Sequence, residues 1–392
     1  MRKNKTLWII GLISVVNALG YGIIFPLLYS YSQKFGLTDF QNGLLFALFS
    51  LCQFLSTPII GRLSDKYGRR PLLILSVGGT AVSFFMTAFA PNVFILFLSR
   101  ALDGITAGNI PVTSAVISDT TAPKDRARGF GIIGASFGFG FVFGPAISAI
   151  TVQFGDSVPF IIAGVIATIA TLSTALFLPE TNVHMGEVKE GKLFDLEKLF
   201  GALFDKMVGL TLLISLVYST AFSMFIYAFQ PFSVKILHLN PTQISLIFSS
   251  LGIVGLISQV FLLHRVTKKL GAKKTFASAS LIVGSVFVAI FFVKSFIPFV
   301  VAMMVMGLAN SALGPLIQTI LSQETDAKSQ GTIQGINTSY ISIGQIVGPI
   351  LGGVLATRGI PIPFLAAAAL MVVVFVASFK ILQPGYHKES AF

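Results

Sequence analysis

Among the 15 acids of this 392-residue chain, Asp103 alone falls inside an apolar stretch long enough to cross a membrane. An ionisable group at that depth is costly and is by default a functional candidate. Arg100 precedes it by one helical turn and could offset its charge. Such a carboxyl can take up and release a proton; the plainer alternative is a fixed Arg100–Asp103 pair that locks two helices. A second cluster reads Gly61-Arg62-Leu63-Ser64-Asp65-Lys66-Tyr67-Gly68-Arg69-Arg70. Its glycines permit a tight turn and close helix approach, and Asp65, Arg69 and the more distant Asp119 supply charges for a gating network. A merely basic loop would explain Arg62, Lys66 and Arg70, but not the spacing of Gly61, Asp65 and Gly68. A third set, Tyr218, Phe222, Phe225, Phe229 and Phe232, is spaced to share one helix face. Lining a cavity, that face would suit flat or lipophilic molecules, cations included. With 38 Phe in the chain, packing or lipid contact explains it equally well. Gln230, Asn337 and Gln345 could add hydrogen bonds. One cysteine, Cys52, excludes an intramolecular disulfide, and no His/Cys metal set, nucleotide loop or catalytic triad is present. An enzyme, direct ATP coupling and a bound cofactor are therefore not expected.

The elements that carry these residues are membrane spans. The chain is 54% hydrophobic and 11% charged, against about 25% charged for soluble domains; its mean hydropathy is +0.86. Stretches of about 20 apolar residues occur at Leu7–Tyr31, Gln41–Gly61, Pro71–Ala90, Val93–Ser118, Gly129–Phe154 and Val158–Leu178, then at Val208–Phe232, Gln243–Leu263, Thr275–Val293, Ile297–Leu321, Gly331–Ala356 and Pro361–Ser378. The start, Met1-Arg2-Lys3-Asn4-Lys5, imitates a signal peptide, but the apolar run is too long for one and reads as the first span. Pro91-Asn92 makes a tight hairpin between spans three and four. The hydrophilic stretch 179–206, with Glu187, Lys189, Glu190, Lys192, Asp195, Glu197 and Lys198, divides a six-span bundle (1–178) from a second (207–392) and reads as a solvated linker with an amphipathic helical piece. The net charge of +12 has a topological meaning. Only Lys34, Lys235, Lys294 and Arg358 fall in one set of loops; the rest, Arg100 apart, fall in the other set and at the termini. Positive residues mark the cytoplasmic side, so both termini are expected there, and no nucleic-acid partner is implied.

The halves repeat. A shift of 204 places lays Gly140-x-x-x-Gly144-Pro145 on Gly344-x-x-x-Gly348-Pro349, Pro111 on Pro315, Ser118 on Ser322, and Lys124 on Lys328. Repeated six-span halves are how many secondary transporters are built, with substrate bound near the midplane. The Gly61–Arg70 run resembles the G-x-L-a-D-r-x-G-r-k signature of the major facilitator superfamily. A worn second copy, Arg265–Lys274, keeps Gly271-Ala272-Lys273-Lys274 but has Lys268 where an acid would be expected. Arg100-x-x-x-Gly104 resembles the superfamily's fourth-span motif, and Gly140-x-x-x-Gly144-Pro145 its antiporter motif, with Ser148-Ala149 replacing the final glycine pair that Gly352-Gly353 retain. The whole chain is similar to the twelve-span drug:proton antiporters, especially the tetracycline-efflux-like branch.

That resemblance implies an all-α fold of two pseudo-symmetric six-helix bundles, alternating access, and export of amphipathic or lipophilic molecules driven by protons. It implies a monomer in the lipid bilayer of a bacterial inner membrane. Tetracycline exporters usually carry an acid where Asn17 stands, in Asn17-Ala18-Leu19-Gly20-Tyr21; Asn17 cannot titrate, and the likeness stops short there. Asn17, Tyr21 and Asn109 join the span-seven face as candidate substrate contacts. The competing functions are a facilitator or symporter for a polar metabolite, which would need more buried polar groups, and a lipid or lipid-precursor translocator.

Overall fold

In lipid every backbone polar group must find its partner inside the protein, so long apolar segments become helices or closed barrels. This chain takes the helical solution. The computed structural model describes residues 2–121, 126–182, 196–326 and 329–382. The first half contains α1 (Arg2–Gln33), α2 (Asp39–Tyr67), α3 (Arg69–Ala88), α4 (Val93–Thr106), α5 (Ile110–Thr120), α6 (Arg126–Thr151) and α7 (Val158–Phe177). After a short α8 (Leu196–Leu203) come α9 (Gly209–Lys235), α10 (Pro241–Ile257), α11 (Leu263–Leu270), α12 (Ala272–Phe292), α13 (Phe296–Glu324), α14 (Gln330–Ala356) and α15 (Ile362–Leu382). Twelve spans among the described residues are long and apolar enough to cross a membrane. The mixed-charge run from Glu187 to Asp195, the repeat positions Lys124 and Lys328, and the C-terminal tail lie outside the described residues.

Two spans are not the unbroken helices expected. Span four is α4 and α5 joined by a 3-10 turn at Ala107–Asn109. Pro111 explains the break: it sits in the first turn of α5, where its missing N–H costs nothing. Span eight runs as Pro241–Leu270, longer than expected, because a π turn at Ser258–Leu262 links α10 to α11. The α3–α4 hairpin forms as expected, with the Asn92 side chain accepting the Ile95 N–H at 3.0 Å.

The chain groups into two units: 1–37, 48–194 and 240–249 form the first, and 38–47, 195–239 and 250–392 the second. These limits differ from the cut at 178 and 207. The first turns of α2 pack with α9 and α14, where Tyr227 donates to the Asp39 carbonyl at 2.6 Å and Lys235 donates to the Asp39 carboxylate at 2.7 Å. The first turns of α10 join the first unit, where the Ser249 hydroxyl donates to the Val142 carbonyl at 2.9 Å.

The repeated glycine motif is a packing device in both units. Within the first, α1 crosses α6 so closely that a Cβ on Gly144 would stand 2.6 Å from the Gly22 Cα, and one on Gly140 would collide with Ala18. Pro145 lies inside the same crossing, and Ser148, in the place of a motif glycine, donates to the Ile23 carbonyl at 3.1 Å. Within the second, Gly344 and Gly348 meet Ser219, Thr220, Ser223 and Met224 of α9, and the Ser223 hydroxyl donates to the Gly344 carbonyl at 2.7 Å. Pro349 continues α14 beyond that contact. Small residues of this kind let membrane helices approach. Gly144→Val should therefore force α1 and α6 apart and cost about 1–3 kcal/mol. Gly134→Ala, whose Cβ would meet nothing, is the matched control. Equal thermal stability of the two variants in detergent would remove the packing role.

Candidate functional site

Four helices of the first unit converge on Arg100 and Asp103. Both residues are buried on α4, at 5% and 6% exposure. Arg100 Nη1 donates to the Asp103 carboxylate at 2.6 Å. Donor and acceptor share one helix, so any tie to a second helix comes from the pair's other contacts. The guanidinium reaches α2 by lying over the Phe49 ring, 4.6 Å from its centroid. Tyr21 on α1 donates to Gln53 Oε1 at 2.9 Å, and Gln53 Nε2 donates to the Ala107 carbonyl at 3.2 Å. Asn17 Nδ2 donates to Asn109 Oδ1 at 2.8 Å. These bonds tie α1 and α2 to the 3-10 turn of span four. Thr106, just before that turn, is held from α3 by the Ser76 hydroxyl on its carbonyl and by Thr80 at 3.1 Å.

Asn17, Tyr21, Gln53, Arg100 and Asp103 line a space of about 20 Å³. That is room for about one water molecule. Arg100 Nε, Asn17 Oδ1 and Asn109 Nδ2 are buried without a hydrogen-bond partner, and a water there would have polar groups to bind. Residues nominated separately from the sequence, Arg100 with Asp103 and Asn17 with Tyr21 and Asn109, thus form one polar cluster. Gln53 and Phe49 were not nominated. The only signal for Gln53 was an amide deep within the apolar run of span two; Phe49 had none.

The signature between α2 and α3 forms a charge network at the end of the first unit that carries its basic loops. Gly68 has φ of 101°, a conformation that favours glycine, and turns the chain from α2 into α3. Its worn counterpart Gly271 has φ of 81° between α11 and α12, a conformation that likewise favours glycine. Gly61 is different: a Cβ there would make an ordinary 3.8 Å contact with Pro111, so close approach does not require glycine. Arg69 Nη1 donates to Asp65 at 2.5 Å and to the Ser64 hydroxyl at 2.6 Å, and its Nε lies 3.3 Å from Asp119. Glu180, in the hydrophilic stretch 179–206, caps α3: it accepts the Arg69 and Arg70 N–H groups at 2.9 and 3.0 Å. Burial pushes its carboxyl up, but N–H donors from Asn182, Arg69, Arg70 and Thr181 outweigh burial and hold it below its usual range. The cap is present above the ordinary carboxylate range and is lost as pH falls through that lowered value.

Asp65 is half exposed, so its pair with Arg69 contributes about 1 kcal/mol at most. Asp65→Asn should retain ligand binding and slow transport by no more than about fivefold. Wild-type turnover at equal expression would remove its gating role.

Much of the span-seven face is packed inside the second unit. Phe225 and Phe229 are each 1% exposed. Phe225 stacks on Phe287 at 5.1 Å, Phe229 on Phe299 at 5.4 Å, and Phe232 contacts Phe299 and Phe364. In this conformation both rings are engaged in helix packing, the rival reading of the same spacing. Tyr218 donates to Asn310 at 3.0 Å and stacks on the half-buried Phe222. Gln230 and Asn337 are each buried to 1% exposure, the latter with its Oδ1 unbonded, and Gln345 is half-buried on α14.

The sequence matches the Major Facilitator Superfamily over residues 10–210 and again over 211–392. The chain belongs to that superfamily. Multidrug resistance protein 2 of Bacillus subtilis is 30% identical over 95% of this chain and 94% of its own length. The class B tetracycline resistance protein of Escherichia coli is 29% identical, covering 92% and 90% of the two chains. The quinolone resistance protein NorA of Staphylococcus aureus is 27% identical, covering 93% of each. Among solved structures, a bacterial homolog of the human lysosomal transporter Spinster, inward-facing and unoccupied, superposes with a TM-score of 0.81 at 18% identity, over 97% of this chain and 98% of that one. The fold is that of a superfamily transporter, all-α and multi-pass.

Proposed function

We propose that this protein exports lipophilic or amphipathic drug-like molecules in exchange for protons, working by alternating access with its basic loops and termini in the cytoplasm of a bacterial cell. The observation that carries the proton half of this reading is the buried Arg100–Asp103 pair beside a water-sized space. A carboxyl with one guanidinium partner and room for a water can exchange its proton for a different set of contacts when that space changes. The proton gradient supplies the energy, with no cofactor, and a monomer suffices because the cluster is complete within one chain.

The substrate half rests on the relatives' names and on an apolar recess in the first unit. Leu7, Trp8, Gly11, Val15, Ile132 and Phe139 line about 640 Å³ between α1 and α6, within the range of small-molecule sites. A sugar or organic anion would find few partners there. The bias of Lys and Arg toward one set of loops supports the cytoplasmic assignment. The test is a panel of lipophilic cations, neutral drugs and polar metabolites in proteoliposomes with an imposed pH gradient. Gradient-driven uptake of the lipophilic members is expected. Uptake confined to polar metabolites would overturn the reading.

A further inference from the structure

Glu324 is the last residue of α13 and is 3% exposed, yet neither of its carboxyl oxygens has a hydrogen-bond partner. The Thr211 hydroxyl of α9 stands beside it without a bond of ordinary geometry and is itself buried and unsatisfied. Ser215, one turn further along α9, is also buried with a free hydroxyl. Buried polar groups are nearly always bonded, so a cluster of such exceptions calls for an explanation.

The internal repeat gives the cluster a counterpart in the first unit. At the 204-residue shift Glu324 falls on Thr120, one place beyond Asp119; Gly271 opens α12 as Gly68 opens α3, which puts Ala272 in the place of Arg69 and Lys273 in that of Arg70. In the first unit Arg69 and the partly exposed Asp119 face each other at 3.3 Å. One step along a helix turns a side chain by about 100°. In the second unit the carboxyl at that step is buried and Arg69 has no basic counterpart, while Lys273 donates to the Ile381 carbonyl of α15 at 2.8 Å as Arg70 donates to the Ala175 carbonyl of α7. Lys273 on α12 is the charged group that faces Glu324. Lys274 next to it is exposed, α14 carries no charge, and the one charge on α9, Lys235, is at its far end.

Burying an ionised carboxylate with no hydrogen-bonded protein partner is costly, whereas the neutral acid needs far less. A metal cation is disfavoured by Lys273. We propose that Glu324, with Thr211 and Lys273, forms a proton-binding site at the basic end of the second unit, separate from the Asp103 cluster. In this conformation the site holds the neutral acid. A shift of the α12 terminus that frees Lys273 from Ile381 would pair the amine with the carboxylate and release the proton.

Infrared spectroscopy of the full chain in lipid, with carboxyl-¹³C glutamate incorporated, tests this without any transport step, so the result stands apart from the export reading. At neutral pH a protonated-carboxyl band should shift with the glutamate label, persist in Asp103→Asn, and vanish in Glu324→Gln. At higher pH its intensity should fall about tenfold per pH unit once the acid ionises. If Glu324→Gln does not fold, Glu324→Asp replaces it, and the band should then lose its glutamate-label shift. The absence of a label-shifted band in the wild type, or a band that neither substitution alters, would overturn the proposal.

Discussion

Asp103→Asn should abolish substrate accumulation driven by a pH gradient while leaving downhill exchange in place. In a one-for-one exchange each unit of pH gradient supports about a tenfold substrate gradient, roughly 1.36 kcal/mol. A variant that cannot carry the proton should bring that ratio to one. Asparagine is the informative replacement because it keeps an oxygen for Arg100 Nη1, which otherwise has a bond of 2.6 Å to Asp103. Asp103→Ala would strand a buried guanidinium, and losing one partner of a buried ion pair costs about 3–5 kcal/mol; a dead variant of that kind would say little about coupling. The measurement is paired: uptake under an imposed gradient and counterflow without one, in the same proteoliposomes. Accumulation that persists in Asp103→Asn would make the pair structural and send the proton elsewhere.

The sequence-level reading succeeded where one helix decides the matter. Span positions follow from apolar length, the turn at Gly68 from glycine spacing, and the Arg100–Asp103 pair from an i,i+3 relation on α4. It failed where two helices must be brought into register. Gln53 reaches the Ala107 carbonyl and Phe49 the Arg100 guanidinium only through the crossing of α2 with span four, which no local pattern encodes. Pro111 was visible, but its consequence, a 3-10 turn that offers Ala107 and Asn109 to partners on α2 and α1, depends on those partners. Glu324 lies beyond the apolar run that ends at Leu321, so nothing local singles it out; its burial depends on α9 and α12. The span-seven face was ambiguous for a different reason. Helical periodicity identifies a face but not whether that face meets another helix, lipid or a cavity.

That ambiguity yields the second large effect. Phe225→Ala should destabilise the protein by about 3–5 kcal/mol, the usual loss for a buried aromatic ring, because its ring is packed against Phe287 and Phe364. Phe222→Ala should cost clearly less, since Phe222 is only half-buried and retains no comparable enclosure. Unfolding of both variants in detergent, with substrate affinities measured on the fraction that remains folded, separates the two roles. If packing is the role, Phe225→Ala lowers stability sharply and leaves the order of affinities across a varied panel unchanged. If affinities change unequally among substrates while stability holds, Phe225 touches substrate in another conformation, and the aromatic face regains the role its spacing first offered.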